Sequence, residues 1–102
     1  MFRVWCKNKN EWETDFAVMD QDGRFYFMVN SNLQPINMEN HIVEFSSGVC
    51  DKNGVKIYEG DIVNVPYNYI GNQTVVYENG KWSFASFVVS KLEVVGDIHK
   101  SI

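Results

Sequence analysis

The sequence predicts an all-β protein, a small single-domain barrel or sandwich of short antiparallel strands spanning residues 1–102. Three observations carry this. Apolar and polar residues alternate with a period of two, the pattern of a strand with one covered face. Asp-Gly or Asn-Gly dipeptides fall between such runs at 22–23, 53–54 and 79–80, where glycine supplies the positive φ that hairpin turns need. No stretch sustains a helical period, and short strands separated by turns build sandwiches or small barrels.

The first strand reads from Phe2, Val4 and Cys6 alternating with Arg3, Trp5 and Lys7, and the polar run at 7–11 ends it. Phe16-Ala17-Val18-Met19 and Arg24-Phe25-Tyr26-Phe27-Met28-Val29 flank Asp20-Gln21-Asp22-Gly23, the first hairpin signal. Residues 30–40 show no clean period and read as a loop holding at most one helical turn. Residues 41–45 regain alternation, and Asp51-Lys52-Asn53-Gly54 then turns the chain into Val55-Lys56-Ile57-Tyr58. Beyond Glu59-Gly60-Asp61, the strand Ile62-Val63-Asn64-Val65 is closed by Pro66, which lacks a backbone donor. Residues 67–72 read as a loop. Thr74-Val75-Val76-Tyr77 and Trp82-Ser83-Phe84 form a third hairpin around Asn79-Gly80. Phe87-Val88-Val89 and Leu92-Glu93-Val94-Val95 are further apolar runs, before Gly96-Asp97-Ile98.

Composition bounds the function. A chain of 102 residues suits one domain, and a hydrophobic share of 45% is too rich for disorder. With 13 acidic and 9 basic side chains, the net charge of -4 argues against gripping a phosphate backbone across a broad face. No apolar stretch approaches the roughly 18 residues that span a bilayer, so no membrane partner is expected. Met1-Phe2-Arg3-Val4-Trp5 lacks the apolar core of a signal peptide, so the expected compartment is the cytoplasm. Cys6 and Cys50 are too few for a disulfide framework and read as thiols.

The stretch from Gly48 through Asp51-Lys52-Asn53-Gly54 to Ile57-Tyr58-Glu59-Gly60-Asp61-Ile62-Val63 resembles the central signature of the YopX family of phage and prophage proteins. Phe2-Arg3-Val4-Trp5 is similar to that family's N-terminal pattern, and Leu92-Glu93-Val94-Val95-Gly96-Asp97-Ile98 to its C-terminal one. The resemblance therefore runs nearly end to end. Cys6 stands where the family usually has Asp, Asp97 stands where it usually has Asn, and the sequence given stops at Ile102, where relatives often continue with an acidic tail. The resemblance implies a small β-rich, phage- or prophage-encoded protein in the cytoplasm of a bacterial host; it implies no activity.

The residues themselves offer no catalytic constellation, cofactor fingerprint or metal-ligand spacing. His41 and His99 match no His-x-Glu or Cys-x-x-Cys ligand pattern, and a Cys–His pair drawn from Cys6, Cys50, His41 and His99 is open only in space. The expected catalytic, cofactor and metal assignments are therefore none. Tyr58-Glu59-Gly60-Asp61 reads first as a tight turn capped by Asp61; the competing reading makes Glu59 and Asp61, two apart on one strand face, a joint ligand site. Trp5, Trp12, Tyr67, Tyr69 and Trp82 are candidate contact aromatics, against the simpler reading that they close a small core. The binding set is thus Trp12, Tyr58, Glu59, Asp61, Tyr67, Tyr69 and Trp82. The expected function is non-enzymatic binding of a host or phage protein. A small nucleic-acid-binding barrel is the alternative, disfavoured by charge, and an unrecognised enzyme comes third. Lightly charged edge strands and the aromatic load predict a homo-oligomer.

Overall fold

The computed structural model describes residues 1–66 and 70–99. The described chain is all-β: its pairings are antiparallel, and the one helical element is a 3₁₀ turn at Val89–Lys91. In chain order the strands are β1 (Phe2–Cys6), β2 (Glu11–Trp12), β3 (Ala17–Met19), β4 (Phe25–Val29), β5 (Asn32–Pro35) and β6 (His41–Cys50). Then come β7 (Lys56–Tyr58), β8 (Asp61–Val65), β9 (Gly71–Thr74), β10 (Tyr77–Glu78), β11 (Lys81–Trp82) and β12 (Glu93–Asp97). No described helix is long and apolar enough to cross a membrane. The chain divides into two compact units, residues 3–43 and residues 1–2 with 44–102.

In the unit of residues 3–43, β1 and β2 pair with Trp5 opposite Trp12. The rings meet edge-on at 5.0 Å, and the Arg3 guanidinium lies 4.2 Å over Trp12. Strands β3, β4 and β5 form a meander. Its first turn falls where the Asp22-Gly23 signal predicts. The second is a two-residue turn in which Asn30 and Ser31 both hold positive φ, 50° and 65°. This corrects the expected loop at 30–40: Asn tolerates the left-handed region because its short amide bonds locally, so a hairpin forms there without glycine.

In the second unit, β6 and β7 form the hairpin turned at Asn53-Gly54, and β12-β8-β9 form a three-stranded sheet. Strand β8 ends at Val65, just before Pro66, as the missing donor requires. Its alternate residues Asp61, Val63 and Val65 face inward. With Ile57, Val75, Phe84 and Leu92, the two valines form the core, and Trp82, Phe87 and Val94 pack against it. The turn joining β10 to β11 has positive φ at both Asn79 (53°) and Gly80 (76°), the mirror-image geometry that matches strand twist.

Two turns share one design. In Asp20-Gln21-Asp22-Gly23-Arg24, the Asp20 N–H donates to the Arg24 carbonyl at 2.9 Å, and Oδ1 accepts from the N–H groups of Asp22 and Arg24 at 2.9 Å each. In Asp51-Lys52-Asn53-Gly54-Val55, the Asp51 N–H donates to the Val55 carbonyl at 2.8 Å. Its Oδ1 accepts from Asn53 at 2.8 Å and Val55 at 2.9 Å. They differ at Oδ2. Asp20 takes the Tyr26 hydroxyl at 3.0 Å, whereas Asp51, only 6% exposed, takes the Val94 N–H of β12 at 2.8 Å. Burial pushes the Asp51 carboxyl up, but the N–H groups of Val94, Val55 and Asn53 outweigh it and hold the group below the usual carboxylate range. The Asp20 carboxyl is also lowered, chiefly by the Arg24 N–H.

Candidate functional site

The signature turn Tyr58-Glu59-Gly60-Asp61 is a junction of four chain segments. Gly60 donates its N–H to Val75 at 2.9 Å and accepts from Ile98 at 2.9 Å; Glu59 donates to the Phe45 carbonyl at 3.0 Å; and Val75 donates to the Asp61 carbonyl at 2.7 Å. Asp61 begins the inward row of β8, so its carboxylate is 2% exposed and needs a donor within the fold. Tyr58 supplies one: its N–H meets Oδ2 at 2.8 Å. The turn-cap reading of Asp61 is therefore what the geometry displays.

Beneath the turn, the Glu44 carboxylate and the His99 ring meet at 2.9 Å between Oε2 and Nε2. Both side chains are buried, at 6% and 8% exposure. Gly60, with φ of 82°, lies directly against this pair: a Cβ built there would overlap Glu44 Oε2 and lie 2.8 Å from its Cδ. Asp97, the cross-strand partner of Asp61, accepts the His99 N–H at 2.9 Å. The sequence points to neither Glu44 nor the Glu44–His99 pair. The two residues are 55 positions apart, and only the fold brings them together.

Glu59 does not share the destination of Asp61. The positive φ at Gly60 interrupts the strand, so the two-residue period fails across it, and the two carboxylates take different surroundings. Glu59 Oε1 accepts the Phe45 N–H at 2.9 Å, and its carboxylate lines a recess of about 350 Å³ with Phe45, Tyr77 and Trp82. The Tyr77 and Trp82 rings stand 5.0 Å apart, and Trp82 is tied to the core through Phe84 at 5.9 Å. Tyr77 is 51% and Phe45 40% exposed. Trp82 also lines a broader recess with Val76, Glu78, Asn79 and Lys81. Aromatic faces beside a carboxylate suit a cationic group, which gains from the ring quadrupoles and the charge together.

Of the sequence candidates, Glu59 and Trp82 thus come together. Tyr58 and Asp61 belong to the junction. Trp12 sits under Arg3 in the other unit, and Trp5, at 3% exposure, is core there. Tyr67 and Tyr69 lie outside the described residues. The recess also uses Phe45 and Tyr77, which the sequence reading missed; their positions in a strand and beside a hairpin turn carry no signal of convergence. Among the possible Cys–His pairings, His99 is engaged with Glu44, Cys50 is exposed, and Cys6 and His41 approach one another in the unit of residues 3–43.

Comparison with known proteins agrees with this architecture. The crystal structure of protein EF1440 from Enterococcus faecalis superposes with a TM-score of 0.60 at 23% identity, over 96% of this chain and 92% of that one, a likeness of fold. A search of curated proteins finds no match. The family model described as YopX protein matches residues 1–101, essentially the whole chain, and the protein belongs to the YopX family.

Proposed function

We propose that this chain is a non-enzymatic, phage- or prophage-encoded accessory protein that binds a host or phage protein in the bacterial cytoplasm. The recess of Phe45, Glu59, Tyr77 and Trp82 receives an arginine or lysine side chain of that partner. One observation carries the reading: three aromatic rings, two of them substantially exposed, line one recess with the Glu59 side chain. Aromatic residues in a defined recess are the usual anchors of protein recognition. The net charge of -4 favours a basic partner segment over a phosphate backbone.

The test is an NMR titration with an arginine-bearing peptide, an uncharged analogue and a single-stranded oligonucleotide. Shifts at the Trp82 indole and the Glu59 amide are expected with the first alone. Trp82→Ala should abolish them, and Glu59→Gln should weaken binding roughly 5–10-fold, about 1 kcal/mol for a partly exposed cation contact. Salt-sensitive binding of the oligonucleotide at the same residues, with none of the peptide, would overturn the proposal.

A further inference from the structure

We propose that Cys6, Glu13 and His41 form a zinc-binding site in the unit of residues 3–43. The Cys6 sulfur, a Glu13 carboxylate oxygen and a His41 ring nitrogen all lie within 4.8 Å of one another. They come from three places in the chain: the end of β1, the residue after β2 and the start of β6. Backbone bonds fix their approach, with Glu13 N–H on the Val4 carbonyl and Lys7 N–H on the Asn40 carbonyl, both at 2.9 Å. Positions 6, 13 and 41 match no ligand-spacing motif, because each ligand sits on a different segment. Bonds of about 2.0–2.3 Å to sulfur, nitrogen and oxygen place tetrahedral ligands roughly 3.3–3.8 Å apart. Closing from 4.8 Å asks about 1 Å or slightly more, within reach of side-chain rotation.

The surroundings are those of a metal site. His41 Nδ1 lies 2.8 Å from the Asn37 carbonyl. A carbonyl only accepts, so Nδ1 carries the proton and the lone pair is on Nε2, the tautomer that outer-shell carbonyls impose on ligating histidines. The Asn40 amide is oriented in the same way. Its oxygen accepts the Asn8 N–H at 3.1 Å, which turns its NH₂ toward the Cys6 sulfur at 3.8 Å. The sulfur is sheltered, with Cys6 2% exposed, and the Glu13 side chain is 7% exposed. Lys9, on the solvent side, meets Glu13 Oε1 at 3.1 Å and balances part of the negative charge.

The donor set selects the ion. A thiolate and an imidazole disfavour magnesium and calcium, which take oxygen ligands, and a mixed sulfur, nitrogen and oxygen set suits zinc. On binding, the Cys6 S–H bond breaks, the electron pair forms the S–Zn bond, and the proton leaves to solvent. Three protein ligands leave the fourth tetrahedral position to water. Closed in this way, the site ties β1, the β2 exit and the start of β6 together.

The experiment loads metal-free protein with Co²⁺ and then Zn²⁺. One equivalent of cobalt should give a thiolate-to-cobalt charge-transfer band and intense tetrahedral ligand-field bands, and zinc should displace both. Cys6→Ser should lose the charge-transfer band, while Cys50→Ser should keep it. Glu13→Gln and His41→Gln should each weaken zinc at least 10-fold in chelator competition. Zinc should also slow alkylation of Cys6 in the wild type, a readout that does not depend on whether any variant folds. A cobalt spectrum without sulfur character, or alkylation of Cys6 that zinc does not slow, would overturn the proposal.

Discussion

Replacing Gly60 with alanine tests whether the signature turn is a structural clamp. Two effects should add. Alanine at a φ of 82° meets its own backbone, at about 1–2 kcal/mol. Its Cβ would also overlap Glu44 Oε2. A flexible, solvated carboxylate would simply move, but Glu44 is 4% exposed and held by His99, so moving it unmakes a buried hydrogen bond and leaves a polar group unsatisfied, at about 1–3 kcal/mol. Gly54 is the internal control. It has a φ of 79°, and a Cβ there meets nothing within 4 Å. Gly54→Ala should therefore lose only the backbone part. A gap of about 2 kcal/mol between the variants corresponds to roughly 0.7–2 M in the urea midpoint at typical slopes. Urea melts followed by far-ultraviolet circular dichroism read it directly. In a Glu44→Ala background the overlap is gone, and Gly60→Ala should then match Gly54→Ala. If Gly60→Ala and Gly54→Ala melt together in the wild-type background, the clamp argument is refuted.

The paired aspartate turns give a second contrast. Asp51→Asn sets an amide NH₂ against the Val94 N–H and should lose about 1–3 kcal/mol, whereas Asp20→Asn should be nearly neutral because the Tyr26 hydroxyl can rotate to accept; thermal melts separate them. Because the Asp51 carboxyl sits below its unfolded value, its stabilisation is fully present above about pH 4 and is lost as the pH falls through the lower folded value. Acid titration should therefore show a steeper loss for wild type than for Asp51→Asn, and parallel curves would contradict this. Leu92→Ala, at a position 0% exposed in the core, should lose about 2–5 kcal/mol in the same urea assay. Self-association at micromolar concentration is expected from the sheet-end strand β5 and the exposed Phe16, Met19 and Leu33 of its unit. Light scattering that returns the 11.8 kDa chain mass across that range would refute it.

What the sequence determined by itself is local. Glycine dipeptides marked three hairpins because positive φ is a property of the residue, and Pro66 marked the end of β8 because a missing donor is too. The capping role of Asp61 was legible for the same reason: its partner, the Tyr58 N–H, is three residues away. Failures began where the determinant lay elsewhere. Asn30-Ser31 turned without glycine, and the φ at Gly60 cancelled the alternation that would have put Glu59 and Asp61 on one face. Only the tertiary structure decided that Glu44 meets His99, that Phe45, Tyr77 and Trp82 converge on Glu59, and that Cys6, Glu13 and His41 approach one another. Each of those groups comes from segments far apart in the chain. Their proximity is set by strand register and core packing, which no local run of residues encodes.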